Sequence, residues 1–379
     1  MGDNAVPSMK LGFNYAWAFE QYGQNFGPVF FPPPPDGLPT WKNTLPRNLG
    51  QIKGLGMSIV RWFILENGLN YGFVRVDPTG KIRDIAQPFL VGDLLLGHTP
   101  VFRFDPPTKL HPLFGQHFRF MLENFKAQKM QVIPSLVDFP MLALPPKLVT
   151  SAGGGRLDIA IDDAKRKLFL DTVLEPLLDI SAEFKDEIFA WEVMNEPSWL
   201  TARFAPPVGN FGTEEPVMTE AQLTTFLREA LDRIERRSEF RNKSTVGHRF
   251  VGDLNKFPTG TLPQYHYYGK TAPLLGGDPS SIPPRSQAKN AFIGEFSPEF
   301  AANKVYLNAL NFEQGAPWPD CKGSDIKDTV VERLKILTRP QNDYQLALVW
   351  PDKGDRAGTD DVKLSDEAKA SIRAFTGAP

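Results

Sequence analysis

Trp191-Glu192-Val193-Met194-Asn195-Glu196-Pro197 is an apolar run that ends in an amide, a carboxylate and a proline. Its apolar half reads as a buried strand, and Pro197 stops it because proline has no N–H to give to a ladder. Working outward, seven more short runs rich in β-branched and aromatic residues recur along the chain, most of them separated by segments of helical period. The predicted strands are Leu11–Trp17, Ser58–Leu65, Gln131–Val137, Ile188–Met194, Arg249–Asp253, Gln264–Tyr268, Ala291–Gly294 and Tyr344–Trp350. Several are continuously apolar rather than alternating, the mark of strands covered on both faces. Alternation of strands and helices in this number predicts an α/β chain closed into a (β/α)8 barrel.

The clearest helices are Asp162–Phe184, where Pro176 predicts a kink or break, and Thr219–Arg237, whose Leu223, Phe226, Leu227, Leu231 and Ile234 share one face. Further helices are expected at Leu45–Leu55, Pro112–Gln128, Ile326–Leu337 and Ser365–Phe375, and those after the fifth and sixth strands are expected to be stubs. One domain spanning 1–379 is expected, with loop insertions near 24–40, 66–108 and 199–217. The first carries Pro32 to Pro35 and the second a hairpin, with Phe73–Val76 and Lys81–Ile85 flanking Asp77-Pro78-Thr79-Gly80. All three follow strand C-terminal ends, the face where a barrel keeps its active site.

Composition narrows the function classes. The chain has 379 residues, 41% hydrophobic and 23% charged, the usage of a globular protein with a substantial core. Basic and acidic side chains number 42 and 44, a formal net charge of −2, with no run of Lys and Arg to track a phosphate backbone, so nucleic acid is not an expected partner. No apolar stretch approaches the ~18 residues that cross a bilayer, and no membrane partner is expected. Met1–Lys10 lacks the basic start and apolar run of a secretory signal, which leaves an intracellular protein or one given without its signal. The single Cys321 excludes an internal disulfide and a Cys-based metal cluster, and reads as a structural or exposed thiol. The histidines, at 98, 111, 117, 248 and 266, show no His-x-His on the first strand, so no metal or other cofactor is expected.

A carboxylate at the C-terminal end of a barrel strand points at the mouth, which makes Glu196 a candidate acid. An apolar wall beneath it would raise its pKa and keep it protonated near neutral pH. A second apolar run, Ala291-Phe292-Ile293-Gly294-Glu295-Phe296, carries a lone carboxylate at the end of the seventh predicted strand. Paired carboxylates across a barrel mouth are the equipment of glycosidic bond cleavage, with ~5 to 5.5 Å between them for retention and ~6.5 to 9.5 Å for inversion. Glu192 alternates with Met194 and Glu196, so it should face the barrel interior as a structural carboxylate. Glu20 and Glu299 are candidate substrate contacts, and Trp17, Trp62, Trp199 and Trp318 are candidate sugar platforms.

With these residues in place, the sequence resembles the clan A glycoside hydrolases, nearest to family five of the cellulase and mannanase type, over all eight predicted strands. The resemblance rests on Asn195-Glu196, Glu295, Arg61 near the end of the second strand, His266 and Tyr268 in a His-x-Tyr, and Trp350 at the eighth strand. It implies Glu196 as acid/base, Glu295 as nucleophile and Asn195 on the sugar 2-hydroxyl. It further implies that Arg61 and the Tyr268 phenol hydrogen-bond Glu295 and keep it ionised, and that Trp350 floors the sugar. The implied reaction is retaining hydrolysis of a β-linked oligosaccharide or polysaccharide without a cofactor. Members of that family usually place a His after the third strand; here Ile133-Pro134-Ser135-Leu136-Val137-Asp138 has none, and Asp138 or Ser135 is the candidate replacement contact. A transglycosylase with the same residues and a non-catalytic carbohydrate-binding barrel are the alternatives.

Overall fold

A computed structural model describes residues 9–16, 25–27, 41–65, 74–76, 82–83, 101–103, 112–142, 156–201, 217–249, 251–266, 291–296, 334, 337, 344–350, 362, 364 and 366–379. In chain order the elements are β1 (Lys10–Asn14), α1 (Leu45–Gly54), β2 (Ile59–Leu65), β3 (Val74–Val76), β4 (Ile82–Arg83), β5 (Val101–Arg103), α2 (Pro112–Gln128) and β6 (Gln131–Asp138). They continue with α3 (Asp163–Phe169), α4 (Glu175–Ala182), β7 (Trp191–Asn195), α5 (Glu220–Arg236), β8 (Ser244–His248), β9 (Gln264–His266), β10 (Phe292–Phe296), β11 (Leu346–Val349) and α6 (Asp366–Thr376). Eight strands close in the order β1-β11-β10-β9-β8-β7-β6-β2, every pair parallel. The fold is a (β/α)8 barrel.

Side-chain alternation along the strands builds two different spaces. Val60, Trp62 and Ile64 of β2, Val132 and Leu136 of β6 and Val193 of β7 join the large core beneath the helices. The other set faces inward: Ile59, Ile133, Ala190, Phe292, Leu346 and Leu348 cluster as a dry plug. Two residues further along three of these strands come Arg61, Ser135 and Glu192, all buried. A period of two therefore stacks a polar layer directly on the apolar one. Trp62 lies in the outer core, 0% exposed and edge-on to Tyr15 at 4.9 Å, which removes it from the candidate sugar platforms.

The helices follow their sequence signals. α5 opens on a capping box, Gln222 N–H donating to Thr219 Oγ1 at 3.2 Å and Thr219 N–H to Gln222 Oε1 at 2.9 Å, an arrangement worth ~1 kcal/mol. Its buried face carries Leu223, Phe226, Leu227, Ala230, Leu231 and Ile234. The long helix runs past Pro176 without a break, its backbone helical from α3 through α4 with one irregular turn. Leu170–Leu174 winds with a π-helical turn just before α4, which relieves the clash a proline ring makes with the preceding turn. The anticipated hairpin is β3 with β4, and β5 adds a third antiparallel strand to β3.

One strand lies elsewhere than predicted. The fifth barrel strand is Ser244–His248, while the more apolar Arg249–Asp253 lies beyond it and Val251–Asn255 winds as a short 3-10 stub. The strand reads polar because its small residues face the crowded interior. A Cβ on Gly247 would stand 3.0 Å from Glu192 Oε1 and 3.1 Å from Arg61 Nη2. Pro32–Pro35, the turn at 77–80, residues 202–216, Cys321 and all of the expected helix 326–337 except Leu334 and Leu337 lie outside the described residues. No described helix is long and apolar enough to cross a membrane.

Candidate active site

Strand register assembles the site. Asn14 pairs with Arg61, Asp138 with Asn195, and His266 with Glu295, so three strand pairs deliver polar side chains at the C-terminal end of the barrel. Arg61 is their hub. Its Nε–H donates to Glu192 Oε2 at 2.6 Å; one Nη2–H donates to Glu192 Oε1 and the other to Asn195 Oδ1, each at 2.6 Å. The Nη1 protons go to Glu295 Oε1 at 2.6 Å and Asn14 Oδ1 at 3.1 Å. All five donors of the guanidinium are thus used, a requirement for a cation with no solvent exposure. Burial opposes its charge, but the two carboxylates outweigh burial and raise its pKa further.

Each partner is held in turn. Asn14 Nδ2 donates to the Gly294 carbonyl at 2.9 Å, next to Glu295 in sequence. Glu192 also accepts from Ser135 Oγ at 2.7 Å and from Gln264 Nε2 at 2.9 Å. Asn195 Nδ2 donates to Asp138 Oδ1 at 2.9 Å, and the same oxygen accepts the Phe139 N–H at 2.8 Å. Asp138 and Ser135 therefore support Asn195 and Glu192 from the neighbouring strand.

Glu196 takes the step out of the strand. It precedes a proline, which disfavours the right-handed helical region, and it adopts φ 45°, ψ 52°, left-handed and strained for a residue with a side chain. Its N–H donates to the Gly247 carbonyl at 2.7 Å, and the Pro197–Leu200 turn folds Trp199 back toward it. Trp199 Nε1–H then donates to Glu196 Oε2 at 2.6 Å, while Glu196 Oε1 bonds His266 Nδ1 at 2.8 Å. With Glu196 ionised, Nδ1 carries the proton and donates. The Trp199 ring stacks on Phe139 at 5.5 Å, and the Arg249 guanidinium lies over it at 3.4 Å. The half-buried Trp199 ring thus has Phe139 and Arg249 as neighbours.

The charge state of Glu196 also departs from expectation. Burial pushes its pKa up, but the His266 hydrogen bond and charge, the Arg249 charge and the Trp199 hydrogen bond together bring it below the ordinary carboxylate value. The apolar wall foreseen from the strand is replaced on this side by donors. His248, by contrast, is pushed down to about 3, chiefly by burial and also by the His266 charge, so it stays neutral at ordinary pH.

The two carboxylates face each other across His266, whose Nδ1 lies 3.4 Å from Glu295 Oε2. One oxygen of Glu196, one of Glu295 and a ring nitrogen of His266 fall within 4.8 Å of one another. Such a group could ligate a cation, and one oxygen of Glu295 is already taken by Arg61 at 2.6 Å. Trp350, half-buried, follows β11 with its N–H on the Phe296 carbonyl at 2.7 Å and its ring edge-on to Phe63 at 6.2 Å. Trp17, Tyr268, Glu20, Glu299 and Trp318 lie outside the described residues. Asn14, Gln264 and Arg249 were not anticipated. The first two are polar residues in predicted strands, a detectable signal, whereas nothing in the sequence pairs Arg249 with Trp199.

No protein-family model and no curated protein matches the chain. Solved structures do. An endo-1,4-beta-mannanase from Eisenia fetida is similar at 17% identity and TM-score 0.58, covering 99% of this chain and 92% of its own. A beta-mannanase from the blue mussel Mytilus edulis is similar at 13% identity and TM-score 0.57, covering 97% and 90%. A broad-specificity endoglucanase from an uncultured bacterium is similar at 12% identity and TM-score 0.53, covering 99% and 95%. At such identities the likeness shows a shared barrel fold along nearly the whole chain.

Proposed function

We propose that the protein is a retaining β-glycoside hydrolase, with Glu295 as nucleophile and Glu196 as acid/base. The observation that carries this reading is the spacing of the two carboxylates: an oxygen of each lies within 4.8 Å of the other, nearer the closer spacing of retention than the wider gap of inversion. Arg61, donating at 2.6 Å, holds one Glu295 oxygen and favours its ionised, nucleophilic form. Asn195, fixed by Arg61 and Asp138, offers its remaining amide proton to the sugar 2-hydroxyl. In this reading Trp350 floors the sugar.

Glu196 must be neutral in the first half-reaction and ionised in the second. Its donors favour the ionised form. A bound sugar displaces water from around the carboxyl and presents the glycosidic oxygen to it, and both changes favour the acid. The reading thus includes an acidic pH optimum, because the alkaline limb of kcat/KM reports protonated Glu196 in the free enzyme. Trp199→Phe removes one donor to the carboxylate, raises its pKa and should move that limb to higher pH; a limb that stays put or moves down counts against this account.

The test of the function is a screen of aryl β-glycosides and β-linked manno- and gluco-oligosaccharides, the product anomer followed by NMR. β-linked substrate should yield β-configured product first. α-configured product would indicate inversion, and no turnover on any substrate would overturn the reading. The mannan and glucan enzymes among the structural neighbours give the first substrates to try.

A further inference from the structure

The cation that holds the candidate nucleophile is shared unequally. Glu192 receives two N–H bonds from Arg61, one from Nε and one from Nη2, each at 2.6 Å; Glu295 receives a single one. Ser135 and Gln264 also donate to Glu192, so four donors converge on a carboxylate with no exposure. One guanidinium thus serves two carboxylates, and the group carries a net negative charge inside the barrel.

That charge changes during double displacement. In the first half-reaction a bond forms from a Glu295 oxygen to the anomeric carbon, the bond from that carbon to the leaving oxygen breaks, and the Glu196 proton passes to the leaving oxygen. Glu295 becomes a neutral ester. Arg61 and Glu192 then remain as a balanced pair. Without the Glu192 charge, glycosylation would leave a buried guanidinium with no carboxylate bonded to it, its nearest new negative charge being Glu196, which has given up its proton. In the second half-reaction water bonds to the anomeric carbon, the ester bond breaks toward Glu295, and Glu196 accepts the water proton. Here the pull of Arg61 on the departing carboxylate helps.

We infer that Glu192 is a positioning residue that sets how Arg61 divides itself between the two carboxylates, and thereby the ratio of glycosylation to deglycosylation rates. The inference rests on the double-displacement reading. A merely structural carboxylate would slow both steps together when altered, whereas a partitioning one shifts them in opposite directions.

The experiment uses the full chain and a dinitrophenyl β-glycoside of a sugar that it cleaves. Stopped-flow release of the phenol gives the glycosylation rate, and decay of the covalent adduct on Glu295, followed by mass spectrometry, gives the deglycosylation rate. Glu192→Gln keeps the shape and removes the charge. Glycosylation should fall by about tenfold or more, the effect of ~1.4 kcal/mol in a barrier, while deglycosylation holds or rises. Ser135→Ala takes one donor from Glu192 and leaves more of its charge for Arg61, so the ratio should move a few-fold the other way. Equal slowing of both steps, or a ratio unmoved in the folded variants, overturns the inference; if Glu192→Gln fails to fold, the Ser135→Ala ratio decides alone. A native enzyme that turns over with no adduct on Glu295 overturns the double-displacement reading itself and takes this role with it, an outcome distinct from an adduct with an unmoved ratio.

Discussion

Glu295→Ala is expected to reduce turnover of every β-glycoside the native protein cleaves by a factor on the order of 10⁵, the scale of losing a nucleophile. In the proposed mechanism this side chain makes the covalent bond, and among the described residues no second carboxylate is placed to replace it. Glu192 is tied to Arg61, Ser135 and Gln264 in the layer below, and Glu196 is bonded to Trp199 and His266. The alanine leaves room for azide against the face Glu295 attacked, so added azide should restore activity and give an α-glycosyl azide. Glu196→Ala should behave differently. Substrates with poor leaving groups should fail, activated aryl glycosides should still load the enzyme, and azide should yield the β-glycosyl azide. Reversed configurations would exchange the two assignments, and products of the same configuration from both variants would refute them.

Arg61→Met should have the largest effect on stability. It removes five hydrogen bonds at once and leaves Glu192 and Glu295 buried without the cation between them, a loss of ~3 to 5 kcal/mol by analogy with broken buried ion pairs. Arg61→Lys keeps the charge but cannot fork to five acceptors, so its loss should be smaller yet still large. Adding Glu192→Leu to Arg61→Met should recover part of the stability, because an unpaired buried charge costs more than a missing pair. Chemical denaturation measures all three. A loss below ~1 kcal/mol for Arg61→Met would mean that water reaches the layer and the network is not closed.

The fold was largely legible because a parallel barrel strand is buried on both faces and announces itself as a short apolar run. Ser244–His248 escaped because it packs small and polar residues against a crowded polar layer, and the adjacent Phe250 and Val251 drew the prediction forward. Glu196 and Glu295 stood out as carboxylates at strand ends, while Asn195, Arg61 and His266 were picked out by the family resemblance, and the structure gathers all five at one end of the barrel. Their support was less so. Asn14, Ser135 and Gln264 acquire meaning only from strand register, which one sequence does not supply. Trp199 was picked out as a flat ring, whereas the bond from its indole N–H to Glu196 appears only with the turn after Pro197. The donors that turn gathers also reverse the expected direction of the Glu196 pKa.

The left-handed backbone at Glu196 bears on any attempt to improve this protein by selection. Glycine, and to a lesser degree asparagine, accept that conformation with little strain, whereas a glutamate held there costs about 1 to 3 kcal/mol. A library sorted on heat resistance alone would therefore enrich substitutions at this position that are sturdier and inert. Robustness and chemistry compete here for a single codon, and a screen that does not also demand turnover will discard the chemistry first.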